Sequence, residues 1–438
     1  MISTTEIKEY GIVGAGGAGF PAYVKLESRA QILIVNAAEC EPLLHKDKEI
    51  LQHYTDVFFD GLSQCMAMTG AQRCIIGIKA KYADLIKKIK ECCTEGIEIF
   101  PLQDFYPAGD EITLIYETTG RVVAAGKLPI SQEIVVQNVE TIYNVGQGRP
   151  VVTTFLTVGG DVAKPMSVEV PIGVSFKDVI AQARPKSKDF DVIVGGPMMG
   201  CLADDLNWPV TKTTGGLLVF PTDHPLIRRY KTLSVERKVA FIGKAACDQC
   251  AMCTELCPRN LLGHPIQPHL AMRKLIFSQG TFKPDPGEAH TLYCCECNLC
   301  TLMACPEDLY PSQVCMYNKR ELLQAKIPYQ GLTRNEAHPL ISYRRTPIKK
   351  VMARLDLNRF INKGPLVPFK FQPKTLKVLL RQHIGAIGKP LVKIGETVTA
   401  AQKIATVGKN LGAEIHSPVC GQVKEITDDF IIIVAETI

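Results

Sequence analysis

Nowhere does the chain hold about 18 consecutive apolar residues, the length that crosses a hydrocarbon core, so no bilayer-spanning helix is expected. Its first residues, Met1-Ile-Ser-Thr-Thr-Glu-Ile-Lys8, have neither a basic start nor an apolar core, and no signal peptide is expected from them. Without a secretion signal, the 17 cysteines argue for a reducing interior, with thiols serving metal rather than disulfides. Tryptophan is almost missing, at one residue in 438. Excess positive charge is also scarce outside one segment. Residues 326–375 hold 11 Lys or Arg against 2 Asp or Glu, a balance of +9 against a net +6 for the whole chain, so the remainder carries about −3. That segment could dock an acidic partner or an anionic surface, or simply be a solvated connector. No base-stacking aromatic platform accompanies it, which excludes nucleic acid as the expected partner.

What the chain has in abundance is patterned cysteine. Cys247, Cys250, Cys253 and Cys257 are followed by Pro258, and Cys294, Cys297, Cys300 and Cys305 by Pro306. Three thiolates at three-residue spacing can wrap one corner of an iron–sulfur cube, with a more distant fourth closing it. In two-cluster ferredoxins that fourth cysteine ligates the other cluster. Zinc sites present pairs of cysteines rather than triples, so two 4Fe–4S clusters are expected. The second run has four residues before Cys305 where the first has three before Cys257. Its loop must therefore bulge by one residue, with Cys295 the only local substitute ligand. Cys295 and Cys315 are otherwise spare thiols. His264, His269 and His290 are expected to pack rather than ligate, since eight cysteines already supply eight ligands.

Length predicts about three domains, and 46% apolar content allows real cores. In the N-terminal third, Gly14, Gly16 and Gly19 fit G-x-G-x-x-G. No buried strand of useful length precedes them, so the usual dinucleotide placement fails. Glycines, Gly17 included, still let backbone amides approach a phosphate closely. Residues 31–35 and 74–78 read as buried strands, and 82–92 as a helix, an alternation that predicts a parallel sheet. Polar residues follow the first strand at Asn36, Glu39 and Glu41, where α/β folds gather ligands. The stretches Tyr106-Pro-Ala-Gly109-Asp110-Glu111 and Asn138-Val-Glu-Thr141 look like further loops of one site.

These loops together resemble the flavin- and NADH-binding subunit of respiratory complex I. They are closer still to the RnfC and PduS families, which join that flavin fold to a dicluster ferredoxin region. The resemblance implies that Gly14–Gly19 hold an FMN phosphate with Lys25 and Asn36 nearby. It implies a flavin pocket lined by Glu39, Gly109, Asp110, Glu111, Asn138 and Thr141, and an approach for nicotinamide dinucleotide past Phe20, Glu41 and Glu111. Two positions depart from the complex I pattern: Ala38 replaces a carboxylate, and Ser28 an aromatic residue.

Beyond residue 150 the pattern changes to short β runs punctuated by Gly and Pro, around 155–158, 166–170 and 191–194. By resemblance this is a β-grasp module of the soluble ligand-binding type, with Met198 and Met199 read as gap-fillers in a turn. Residues 267–277 and 314–326 read as helices flanking the cysteines, with Pro311 near the start of the second. Residues 327–373 read as a basic, Pro-spaced linker with short helical pieces. After Lys374, β runs at 376–380, 390–394, 403–407, 421–426 and 430–434 alternate with glycine turns. Gln382-His-Ile-Gly385 and the stretch 416–421 resemble the lipoyl-like barrel-sandwich hybrid of RnfC, carried C-terminally as in PduS. No lysine occupies the expected hairpin tip at 417–420, so a docking module is expected rather than a swinging arm.

The expected architecture is therefore α/β and multidomain. It comprises a Rossmann-like complex I-type FMN domain (1–148), a β-grasp domain (149–225), an α-helical dicluster ferredoxin domain (238–326), the linker (327–373) and a barrel-sandwich domain (374–438). The expected activity is electron transfer from NADH through FMN and two 4Fe–4S clusters. The PduS resemblance implies cobalamin, or a protein handling it, as acceptor. It also implies a cytoplasmic location within or on a bacterial microcompartment, with redox or shell proteins as partners. The alternative is an RnfC-like component that relays electrons inside a larger complex.

Overall fold

The computed structural model describes residues 2–278, 281–333 and 335–436. Arg334, one of the basic residues counted above, lies outside them.

The N-terminal domain is built on a parallel sheet of β1 (Ile32–Ala37), β2 (Arg73–Lys79), β3 (Ile97–Leu102) and β5 (Ile134–Asn138), in the order β3-β2-β1-β5. The two-residue β4 (Phe105–Tyr106) lies outside that sheet. Leu33, Ile34, Val35 and Ile76 are wholly buried because helices cover both faces, and this is why β1 and β2 read as unbroken apolar runs. Chain order runs outward from β1 to β3, then returns to the other side of β1 for β5. The sheet thus reverses direction between β1 and β5, and ligands of α/β folds bind outside the carboxyl ends at such a reversal. Helices Thr55–Thr69 and Val139–Gln147 meet through Gly61 and Gly146, where an added Cβ would strike the carbonyls of Ile142 and Val57. That close approach fixes the helix that begins after Asn138.

The second domain is a mixed sheet of β6 (Thr153–Gly160), β7 (Met166–Pro171), β8 (Phe190–Val194), β9 (Cys201–Leu202) and β10 (Gly216–Pro221), ordered β7-β6-β10-β8-β9. The helix Phe176–Ala183 buries Phe176, Val179, Ile180 and Ala183 against it, a 3.6-residue stripe. Met198 in the following turn is fully buried, whereas Met199 is 55% exposed, so only the first fills a gap.

Helices Pro225–Leu233, Glu236–Ala246, Pro268–Phe277 and Pro311–Gln324 pack around the cysteine loops. Pro311 is the first residue of the last of these, where its missing N–H costs no helical bond. His264 and His290 are buried, and His264 Nε2 lies 2.9 Å from the carbonyl of Val123.

The basic segment after residue 326 differs from a solvated linker. Its β11 (Thr346–Pro347) pairs antiparallel with β4, and the helix Ile348–Arg354 follows. Ile348, Val351, Met352 and Leu355 recur at helical spacing and enter the same core as the cluster helices. Arg345 pairs with Glu117 at 2.6 Å, Arg354 with Asp308 at 2.7 Å, and Arg344 with Glu255. Much of its charge therefore binds within the chain. Farther on, the segment docks on the second domain: Ser167 N–H donates to Pro365 O and Val367 N–H to Ser167 O, both at 2.9 Å.

The C-terminal domain holds β12 (Thr375–Leu379), β13 (Lys389–Pro390), β14 (Thr397–Val398), β15 (Lys403–Thr406), β16 (Ile415–His416), β17 (Gly421–Ile426) and β18 (Phe430–Ala435). They form two small sheets, β12-β18-β17-β14 and β13-β15-β16, closed on a core of Val378, Ile404, Ile415, Val423 and Ile431. The expected tip at 417–420 does not project as a whole: Ser417 is fully buried and its N–H donates to Gln402 O at 2.8 Å, leaving Cys420 on the surface.

Candidate functional site

The glycine loop lies at the switch point. It closes on itself through Gly14 N–H to Phe20 O at 2.8 Å and Gly19 N–H to Gly14 O at 3.2 Å, so Phe20 serves the loop through its backbone. Gly16, Gly17 and Ala18 between them are exposed, and their N–H groups have no acceptor among the described residues. Gly17 has φ +106° with nothing within 4 Å of a Cβ built there, an open cradle that only glycine adopts without strain. Ala15 N–H donates to Thr141 Oγ1 at 3.0 Å, which ties the loop to the helix at β5. Asn138 caps that helix and its Nδ2 donates to Asp47 Oδ2 at 2.8 Å.

Beneath the loop lies Lys46, which the sequence marks only by its place between Asn36 and Asp47. Its Nζ reaches Ala15 O at 3.2 Å, Asp47 at 3.1 Å and Glu140 at 2.5 Å. Burial opposes its charge, but the two carboxylates outweigh it and its pKa is raised. Lys25 pairs with Glu111 at 2.5 Å and donates to Val136 O at 3.2 Å, which joins two of the expected pocket residues directly. Asn36 Nδ2 donates to Gly109 O at 2.8 Å, linking the ends of β1 and of the loop after β4. Glu39, at φ +35°, accepts from Asp47 N–H at 3.0 Å on one oxygen, while its other oxygen is buried without a partner. Burial, reinforced by the Asp47 charge, pushes its carboxyl up to about 7. An open amide cradle and an orphaned buried carboxylate oxygen on the same strand ends fit a phosphate-bearing, hydrogen-bonding ring such as FMN.

Glu41 differs from expectation. Rather than facing an open approach, its carboxylate accepts from Met198 N–H at 2.9 Å and Met199 N–H at 3.0 Å, and Tyr106 Oη lies 3.4 Å away. Burial raises it to about 7. Gly196 allows this clamp, since a Cβ there would strike the Glu41 carboxylate. Glu41 joins the first domain to the second.

The cysteines segregate into two groups that do not follow the sequence runs. Burial first, and then the thiols of Cys305, Cys247 and Cys250, raise Cys253 to about 12. Cys305 in turn is raised by burial and then by Cys250 and Cys247, against lowering by the N–H groups of Leu309 and Glu307. Cys300 is pushed far up by burial, then by Cys294 and Cys257. Burial and the neighbours Cys295 and Cys294 raise Cys257. Each run thus lends its fourth cysteine to the other, giving Cys247, Cys250, Cys253 and Cys305 on one side and Cys257, Cys294, Cys297 and Cys300 on the other. Thiolates near iron are the ligands such a cluster needs, and both groups fit it. The extra residue before Cys305 is taken up by a π-helical turn, Cys300–Ala304, closed by Cys305 N–H to Cys300 O at 3.1 Å. Cys295 lies beside Cys297 and Cys257, in the group opposite Cys305, so it cannot stand in for that ligand. Cys315 is fully buried beside Cys294.

The second group abuts the flavin-type pocket. Arg259, two residues after Cys257, pairs with Asp110 at 2.7 Å with both side chains largely buried. Tyr106 donates its hydroxyl to Cys297 O at 2.7 Å, and Asn298 Nδ2 donates to Met198 O at 2.8 Å. The first group faces outward, and Cys250 is exposed.

An α/β cofactor domain wired directly to a two-group cysteine domain defines the class: a multidomain flavin and iron–sulfur electron-transfer protein. Family models agree domain by domain. The Nuo51 FMN-binding domain matches residues 7–147, the SLBB domain 155–202, the 4Fe-4S dicluster domain 246–310, and the RnfC barrel sandwich hybrid domain 362–436. The cobalamin reductase PduS of Salmonella typhimurium is 42% identical over 99% of this chain and 97% of its own length. That of Citrobacter freundii is 40% identical over 98% and 95%. The RnfC-like component of the Na+-translocating ferredoxin:NAD+ oxidoreductase complex of Acetobacterium woodii is 33% identical over 57% of this chain and 56% of its own. The chain belongs to the PduS cobalamin reductase family. Among the described residues, no helix is long and apolar enough to cross a membrane.

Proposed function

We propose that the chain is an oxidoreductase that passes electrons from NADH, through FMN and two 4Fe–4S clusters, to cobalamin. Bound flavin would supply the conversion this requires, from electrons delivered in pairs to electrons released singly. The protein's part is to hold and insulate. The amides of Gly16, Gly17 and Ala18 would bind the phosphate, and Lys46 braces them through Ala15 O. Glu39, Asn36 and Asp110 would surround the ring, and Thr141 and Asn138 fix the loop. Cys257, Cys294, Cys297 and Cys300 would hold the cluster that receives electrons first, and Cys247, Cys250, Cys253 and Cys305 the one that releases them.

The observation that carries this reading is the pair of contacts from the pocket to the second cysteine group: Asp110 to Arg259, and Tyr106 to the carbonyl of Cys297, both 2.7 Å. Membership in the PduS family supports cobalamin as acceptor, and also supports a site of action in or on a bacterial microcompartment with shell or redox proteins as partners. Rapid mixing of NADH with anaerobic reconstituted protein should bleach flavin absorbance before cluster absorbance, and cob(II)alamin should form without another protein. Flavin that stays oxidised overturns the NADH step. A second reading, a relay component in a larger complex, is supported by the similarity to the Acetobacterium woodii protein. It predicts that cobalamin reduction depends strictly on a partner. Copurification with shell proteins tests the location.

A further inference from the structure

The first cysteine loop contains a side-chain contact that ligand spacing does not require. Gln249, between Cys247 and Cys250, has φ +62°, in the left-handed region that disfavours a side chain. This backbone turns its amide back on the preceding ligand, and Gln249 Nε2 lies 3.1 Å from Cys247 Sγ. Its carbonyl oxygen accepts from Arg273 Nε at 3.0 Å, so the amide is held in the orientation that points N–H at sulfur. Arg273 stands on a rigid element. Its helix, Pro268–Phe277, buries Ala271, Met272 and Leu275, and a Cβ at Gly243 would lie 3.0 Å from Leu275 and 3.1 Å from Met272. Arg273 is exposed and has no carboxylate partner among the described residues. The other ligand sulfurs with donors receive them from the backbone: Cys294 from Glu296 N–H and Cys305 from Leu309 N–H, both at 3.4 Å.

We propose that Gln249, oriented by Arg273, is a positioning residue that raises the reduction potential of the outward-facing cluster above that of the pocket-facing one. The inference rests on the cluster assignment made above. Reducing a cluster by one electron adds one negative charge, shared with its thiolates. A fixed N–H on Cys247 Sγ, backed by a guanidinium charge, stabilises that added charge more than the oxidised state. Hydrogen bonds to the sulfurs, local charge and solvent exposure are the features by which proteins set such potentials. Because the side-chain donor sits on one group alone, it biases electrons away from the pocket and toward the exposed Cys250.

The test is a potentiometric titration, followed by electron paramagnetic resonance, of full-length anaerobically reconstituted protein and three variants. Gln249→Leu should lower one cluster potential and leave the other unchanged, at full iron and sulfide content. Arg273→Gln should lower the same potential by less, and Arg273→Lys should retain most of the native value. Unchanged potentials in Gln249→Leu and Arg273→Gln at full iron content overturn the inference, as does an equal shift of both clusters. Loss of iron from Gln249→Leu with an unshifted Arg273→Gln overturns it too, since Gln249 would then serve only to hold the loop. Failure of the underlying assignment is separately visible, because the unmodified protein would then not contain two four-iron centres.

Discussion

The two cysteine groups have the same ligand chemistry and opposite surroundings. Cys257, Cys297 and Cys300 are buried, and their loops are tied to the pocket by the Arg259–Asp110 pair, the Tyr106 hydroxyl and Asn298. Around Cys247 and Cys250 the chain is open to solvent, and the contacts are a half-buried Gln249 and an exposed Arg273. The difference teaches that direction is built from packing rather than from ligand type. One group is enclosed where electrons arrive, and the other is accessible where they leave.

The largest expected effects come from removing one ligand on each side. Cys300→Ala and Cys250→Ala should each lose about half the iron and slow cobalamin reduction by roughly a hundredfold or more, while flavin reduction by NADH survives in both. Iron analysis and single-turnover absorbance check this, and a Cys300→Ala protein with full iron content would break the comparison. Next, Arg259→Met leaves Asp110 buried without its partner and should destabilise the protein by about 3–5 kcal/mol. Arg354→Ala, which removes a more exposed pair to Asp308, should cost no more than about 1 kcal/mol. Urea unfolding of both variants measures the contrast, and equal losses would remove the distinction between a locked side and an open one.

The smallest effect is one of pH. The Glu41 carboxyl is raised by burial to about 7 in the folded chain, from an ordinary value of 4.5. A raised acid contributes stability fully below its unfolded pKa, and that contribution is lost as pH rises through the folded value. The melting temperature of Glu41→Gln relative to the native protein should therefore move in favour of the variant between about pH 5 and pH 8. A difference that does not change with pH would mean that the Met198 and Met199 amides keep Glu41 ionised throughout.

The cysteine spacing was legible because cluster geometry dictates it, and the need for a bulge before Cys305 was visible as one surplus residue. Its form, a π-helical turn, was not, since nothing local distinguishes that turn from a looser loop. The resemblance to the RnfC and PduS families is borne out, and with it the flavin-type, β-grasp, dicluster and barrel-sandwich domains. Contacts between distant segments were hidden. Lys46 with Glu140, Arg259 with Asp110, and Glu41 with Met198 are pairs that no periodicity announces. The stretch 327–373 read as a linker because its helical stripe, Ile348 to Leu355, is short and lies among prolines and arginines. Its packing also explains why that much positive charge does not form a free docking surface.

The most direct test of the proposed order is freeze-quench electron paramagnetic resonance after mixing NADH with the two ligand variants. In Cys250→Ala, the remaining cluster should be reduced as fast as in the native protein. In Cys300→Ala, flavin absorbance should bleach while the remaining cluster stays oxidised on that timescale. Native-rate reduction of the remaining cluster in Cys300→Ala, with slow reduction in Cys250→Ala, would contradict the account and reverse the direction of the wire.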